Sequence, residues 1–262
     1  MHFHKAGGSS ICRMAAEAGY KIPLKTNCNA FIEDDKNKKL SCCGKTTQDQ
    51  QNFAKTTDYT FVANEKHLYQ DLDTQYYTYM VVFRDPWDRY SSHYKYARDY
   101  FFNVRIMGKF DKWVSSQPDN FMLRSLCGPK CEKVKTGDLN EKHLNFVKKR
   151  LDKFSAILIL ENFDESMEIL YNDPIFEGKW ETIKQKNAGK AHHGNTFRNH
   201  NEVVATKEIK EKYNYLVTFD LELYEYAKFL SRVQIERAKS YKKYSNLDCE
   251  NSCCAEECSV FK

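Results

Sequence analysis

Two short segments of this chain combine side chains and backbone in patterns that suit phosphate-like anions. The first is Lys5-Ala6-Gly7-Gly8-Ser9-Ser10, preceded by His2, Phe3 and His4. Its glycines let backbone approach a ligand. It runs into Ile11, Met14, Ala15 and Ala18 at helical spacing, so N–H groups at the positive end of a helix join one lysine and two hydroxyls. The second is Arg84-Asp85-Pro86-Trp87-Asp88-Arg89-Tyr90-Ser91-Ser92. There Arg84 leaves an apolar run just before Pro86, a residue suited to a first helical turn, and Ser92 follows two turns on. An arginine so placed can grip an anion through its planar fork. Each segment alone has an ordinary structural explanation, since a glycine-rich turn needs no ligand and Arg84 can pair with Asp85 or Asp88. Together, about eighty residues apart, they fit a ligand with phosphates at both ends.

The elements that must hold these segments alternate between strand and helix. Tyr59 to Ala63 and Tyr77 to Phe83 are aromatic and β-branched runs of strand length, and both read as buried strands. From Pro86 the residues Trp87, Tyr90, Ser91, Tyr94 and Ala97 fall at helical spacing. Helices follow over 120–126 and 141–151, then an apolar strand from Ala156 to Leu160, a helix from Asp164 to Tyr171, and a long helical pattern from Lys207 to about Lys239. Such alternation favours a central parallel sheet flanked by helices, an α/β domain over residues 1–240, with a Cys-rich tail over 241–262. Residues 26–55 are polar and read as a long surface excursion.

Composition narrows the classes. At 262 residues, 41% hydrophobic and 14% aromatic, the chain holds far too much apolar material for a disordered one. A formal charge of +5 suits an anionic ligand but falls short of a nucleic-acid-binding face, so no nucleic-acid partner is expected. No run approaches the roughly 18 to 20 apolar residues of a membrane span. Ten cysteines point to an oxidising compartment and disulfides whose connectivity stays open. Thiolates of Cys249, Cys253, Cys254 and Cys258 offer a zinc site as the alternative for the tail, although their spacing matches no common zinc pattern.

The first segment resembles the 5′-phosphosulfate loop of the Golgi membrane-associated heparan and chondroitin sulfotransferases, H-x-P-K-T-G-G-T-S. Arg84 with Ser92 is similar to that family's 3′-phosphate pattern R-D-P-x-x-R-x-x-S. The resemblance continues through Asn120 to Leu126 (N-x-x-x-R-x-L), Glu161 to Ser166 (E-x-F-D-E-S) and Asp220 to Ala227 (D-x-x-L-Y-x-Y-A), and covers roughly residues 1 to 232. Two departures stand in the loop: His4 replaces the usual Pro, and Ala6 the usual Thr.

The resemblance implies a P-loop-like sulfotransferase fold with its first strand truncated, and a transfer that uses 3′-phosphoadenosine-5′-phosphosulfate (PAPS) and no metal. The 5′-phosphosulfate would lie on Lys5, Ala6, Gly7, Gly8, Ser9 and Ser10, and the 3′-phosphate on Arg84 and Ser92. Lys5 would act at the leaving oxygen, and Glu65 is the first choice for general base, with His67 and His2 behind it. The acceptor would be a glycan or proteoglycan hydroxyl. Lys186, Lys190, His192, His193 and Arg198 would line its groove if it is anionic. A Golgi-lumenal setting follows, with a membrane anchor expected in the full-length protein and absent from these residues. Three rivals stay open: a protein-tyrosine acceptor, a truncated inactive relative serving as a disulfide-rich binding module, and a P-loop nucleotide enzyme. The last needs G-x-x-x-x-G-K-[ST], whereas Lys5 precedes both glycines.

Overall fold

In the computed structural model the described residues are 1, 3–23, 28–29, 31–33, 39–41, 47–65, 67–68, 72–100, 109–176, 179–180 and 205–245. His2, the cysteines at 42 and 43, the polar run 181–204 with its candidate groove residues, and tail residues 246–262 lie outside them.

The chain is mixed α/β. Helix α1 (Gly8–Glu17) comes first, followed by the antiparallel pair β1 (Phe31–Glu33) and β2 (Lys39–Ser41) and by α2 (Thr47–Thr56). Strand β3 (Met80–Phe83) leads into α3 (Pro86–Tyr100), and α4 (Phe110–Val114), α5 (Phe121–Cys127), α6 (Pro129–Glu132) and α7 (Glu141–Leu151) follow. Strand β4 (Ala156–Ile159), α8 (Phe163–Asn172), α9 (Lys207–Lys212) and α10 (Thr218–Ser245) complete the order. Strands β3 and β4 pair in parallel, Met80 opposite Ala156 through Phe83 opposite Ile159.

Both faces of this small sheet are buried, which is why both strands read as continuous apolar runs. Side-chain alternation sends Val81, Phe83, Ile157 and Ile159 into a core with Leu123 of α5, Leu144 of α7 and Leu223 of α10. Val82, Ala156 and Leu158 face the other way, onto Ile11 and Met14 of α1 and Ile169 of α8. The outer edge of β4 is closed by side chains. Gln234 of α10 accepts from the Ile157 N–H at 2.8 Å and donates to the Phe154 carbonyl at 2.8 Å, while the Ser166 hydroxyl accepts from the Ile159 N–H at 3.0 Å.

Along β3 lies the N-terminal segment. The Met1 ammonium donates to the Met80 carbonyl at 2.5 Å, and the Phe3 ring meets the Phe83 ring edge-on at 5.0 Å. Met1 and Phe3 therefore lie alongside β3, although residues 1 and 3–5 form no assigned strand.

Several expectations are corrected. Tyr59 to Ala63 is not a strand: among the described residues it makes one bridge, between Ala63 and Asn29, while its Thr60 and Phe61 N–H groups converge on the Lys21 carbonyl. Its aromatics instead line a cavity of about 490 Å³ with Tyr20, Tyr77, Tyr79 and Trp180. Strand β3 begins at Met80 rather than Tyr77, because Asp73 to Tyr77 forms a turn closed by the Tyr76 and Tyr77 N–H groups on the Asp73 carbonyl. The stretch 26–55 holds α2 and the β1–β2 pair as well as loop. The helical pattern from Lys207 breaks between α9 and α10, where Asn120 intervenes. The Asn120 N–H donates to Leu216 O at 2.6 Å, and its side chain accepts from Phe219 N at 2.8 Å and Asp220 N at 3.2 Å, which fixes the start of α10. Residues 241–245, assigned to the tail, continue α10.

The reciprocal contact comes from Asp220, which is wholly buried and accepts from the Met122 and Leu123 N–H groups at 3.0 and 2.8 Å at the start of α5. Burial is the main cause that pushes its carboxyl up to about 6. The folded state then holds this proton more tightly than the unfolded chain, so this group's contribution to stability falls as pH rises from about 4 to about 6. Asp220→Ala leaves two buried donors without acceptors and should lower stability by about 2–4 kcal/mol, read as an earlier urea midpoint at unchanged slope.

Candidate anion-binding site

The loop ahead of α1 is a turn with two left-handed residues, Lys5 at φ 70° and Gly7 at φ 83°. Gly7 is the N-cap of α1, and its carbonyl accepts from Ser10 and Ile11 N–H groups. A Cβ at Gly7 would sit 2.9 Å from a Leu160 methyl just after β4, so glycine is required by backbone conformation and by space. Helix α1 has no acidic residue in its first turn and no side-chain cap, so its own residues leave its positive end uncompensated.

At the end of β3 the second segment folds as its sequence indicates. The Asp85 carboxylate accepts from Trp87 and Asp88 N–H groups at 2.9 and 3.0 Å, capping α3, and Pro86 takes the first helical position. Arg84 is thereby not bound by Asp85 and reaches the other way. Its Nη1 donates to the Lys5 carbonyl at 3.1 Å, across 79 residues of sequence. Both expected anion-gripping segments therefore meet at the same end of the sheet.

The Lys5 ammonium rests 4.0 Å from the centre of the Tyr96 ring of α3. Burial, and then the Arg84 guanidinium, lower its pKa, with Glu65 acting in the opposite sense. Two cations thus stand close together at a helix N-terminus, an arrangement that an anion relieves. The site is not uniformly positive. Burial, Asp85 and Glu161 raise the pKa of Asp88, against a lowering by Arg84.

Glu65 lies beside the loop. Its Oε1 is 2.9 Å from His4 Nδ1, and its N–H donates to the Asn29 side chain at 3.1 Å. Ala6 is buried within the turn, Ser9 is exposed and Ser10 half-buried in the first turn of α1. Ser92 is half-buried on α3, eight residues beyond Arg84, whereas the hydroxyl of its neighbour Ser91 is committed to the Trp87 carbonyl at 2.9 Å. Lys5, Arg84 and Glu65 are brought together. The carbonyl of His67, the weaker base candidate, accepts from the Asn64 side chain at 3.4 Å.

Sequence reasoning missed three contributors. Glu161 receives the Asp85 N–H on Oε1 at 2.9 Å and the Tyr224 hydroxyl on Oε2 at 2.6 Å, so one carboxylate ties the ends of β3 and β4 to α10. Both Glu161 and Tyr224 stand in motifs noted above, but the motifs carried no hint that they meet. His4 was noted only as a departure from Pro, yet its ring contacts His93 at 4.7 Å and Tyr96 at 5.5 Å as well as Glu65. Burial is the main reason, and His4 the second, that His93 is lowered to about 3 and stays neutral.

Cys12 of α1 is joined to Cys28 by a disulfide, and Cys127 to Cys131. The Cys28 carbonyl accepts from the Ala63 N–H at 2.7 Å, two residues before Glu65. No helix among the described residues is long and apolar enough to cross a membrane.

Gly7→Ala should cost about 1–2 kcal/mol from the left-handed backbone alone, measured by urea unfolding. Replacing Cys12 and Cys28 together by Ala opens a loop of 16 residues and should cost about 3 kcal/mol; a melting temperature unmoved by the replacement would contradict this structural role. Comparison with protein-family models, with curated proteins and with solved structures finds no match for this chain.

Proposed function

We propose that this protein is a PAPS-dependent sulfotransferase with a P-loop-like sulfotransferase fold, acting on a hydroxyl of a glycan or proteoglycan in the Golgi lumen. The observation that carries the reading is the Arg84 guanidinium on the Lys5 carbonyl, which joins the two anion-gripping segments at one end of the parallel pair. The residues present fit the donor. A glycine-dependent turn opens a helix with no acidic residue in its first turn, and two cations lie beside it.

When bound, the donor supplies a sulfuryl group activated by its anhydride bond to phosphate. Lys5 and the N–H groups at the start of α1, with Ser9 and Ser10, hold the 5′ end and stabilise the negative charge that grows on the departing oxygen. Arg84 and Ser92 hold the 3′-phosphate, and the Asp85 cap keeps Arg84 turned toward the loop by satisfying the helix donors itself. The lysine's depressed pKa rises when an anion arrives, so binding takes up protons wherever Lys5 is partly neutral.

Calorimetric titration with PAP, the desulfated product, in the absence of magnesium checks this directly. Wild type should bind, and Lys5→Ala and Arg84→Ala should each weaken binding about 10- to 100-fold, the worth of a charge-assisted hydrogen bond. Circular dichroism on each variant confirms that it is folded. Failure of folded wild type to bind PAP, or binding that requires magnesium, would refute the sulfotransferase reading.

A further inference from the structure

The His4 side chain has the contacts of a catalytic base rather than of a surface residue. Its Nδ1 lies 2.9 Å from Glu65 Oε1, an ionised carboxylate can only accept, and so the imidazole carries its proton on Nδ1 and presents Nε2 as an acceptor. Side chains of both residues are about one-third exposed, His4 at 29% and Glu65 at 31%, so a ligand can reach the pair. Neighbouring residues of an extended chain point to opposite faces, yet His4 and Lys5 both lie against the Tyr96 ring, because the left-handed turn at Lys5 brings them to one side. The imidazole and the Lys5 ammonium therefore share the Tyr96 ring as a neighbour.

We infer that His4 is the base that takes the proton of the acceptor hydroxyl, with Glu65 as the residue that positions it. This rests on the sulfuryl-transfer reading above and reverses the roles expected from sequence, where Glu65 is the base. In the step, the acceptor O–H proton passes to His4 Nε2 while a bond forms from the acceptor oxygen to sulfur. The bond from sulfur to the bridging phosphate oxygen breaks, and that oxygen keeps the electron pair beside Lys5. The imidazolium, stabilised by the Glu65 carboxylate, then returns the proton to solvent. His93 is the weaker base, since burial first, and then His4, Arg89 and Lys5, oppose the positive charge that its ring would gain with the proton. Around His4 stand Glu65, His93 and Tyr96, with Lys5 next to it in the chain.

The test combines a spectroscopic signature with rates. Long-range proton–nitrogen spectra of protein labelled at its 8 histidines, with His4→Gln to assign the resonance, should show His4 as the Nδ1–H form at pH 7.5, both free and with PAP. Glu65→Gln should mix the two tautomers, because an amide can donate as well as accept. Consumption of PAPS with water as acceptor should fall about 100-fold or more in His4→Gln and less in Glu65→Gln, while PAP affinity changes by less than about threefold in both. An Nε2–H or doubly protonated His4 in wild type, or His4→Gln consuming PAPS as fast as wild type, overturns the proposal. Loss of PAP binding in wild type would instead refute the cofactor reading, and the tautomer of His4 remains readable in the free protein, so the two failures are told apart.

Discussion

A parallel sheet of two strands has as much open edge as paired backbone, and the need to close those edges organises the rest of this molecule. On β4 the N–H groups of Ile157 and Ile159 go to Gln234 and Ser166, which obliges α10 and α8 to pack where those side chains can reach. On β3 the N-terminal segment lies alongside, with Met1 on the Met80 carbonyl and Phe3 on Phe83. Because that segment runs beside β3 in the direction of the strand, its continuation emerges where β3 ends. The loop and Arg84 are neighbours for that reason, and Glu161, at the end of β4, completes the same rim by holding the Asp85 N–H.

Polar groups buried behind this rim are arranged as reciprocal caps. Asn120 satisfies the first N–H groups of α10, and Asp220 on α10 satisfies those of α5. Arg124 spreads its donors over Asp119 and the carbonyls of Cys131, Val134 and Lys135, holding the turn past α6. Arg89 differs. It is buried, its guanidinium nitrogens make no hydrogen bond among the described residues, and it lies between the rings of Tyr90 and Phe121 at 4.2 and 4.3 Å. Burial lowers its pKa, and the nearby charge of Asp220 works in the opposite sense, so this arginine and this aspartate share one low-dielectric region.

How much of this was legible in the sequence depended on whether the deciding interaction was local. The helix Glu141–Leu151 was legible to the residue, because its N-cap Asn140 and its apolar spacing are both local signals. So was the turn into α3, where Asp85 and Pro86 carry the cap and the first turn within three residues. Tyr59 to Ala63 misled because aromatic and β-branched residues suit a cavity wall as well as a pleated sheet, and only pairing partners distinguish the two. The break before α10 had no local signal, since its cause is Asn120, 99 residues from Phe219. In the candidate site, Lys5 and Arg84 were visible as residue types in a motif, but that Arg84 bonds the Lys5 backbone was not. His4 was visible only as a missing proline.

Glu65 shows how the site compensates for standing outside the sheet. Its segment makes one bridge and two hydrogen bonds to the Lys21 carbonyl rather than a strand ladder, so strand pairing alone would leave its carboxylate poorly placed. A ring of other restraints closes instead. The loop opens α1, α1 is joined through Cys12 to Cys28, the Cys28 carbonyl and the Asn29 side chain hold the Ala63 and Glu65 N–H groups, and Glu65 returns to the loop through His4. Every link in that ring is short-ranged in space, and one is covalent. Cutting the disulfide would remove the covalent link of that ring and leave the Thr60 and Phe61 N–H groups on the Lys21 carbonyl and the contact between Glu65 and His4, hydrogen bonds worth about 1 kcal/mol each. The disulfide between Cys12 and Cys28 therefore adds one covalent restraint to the hydrogen bonds that hold the His4 and Glu65 pair in register.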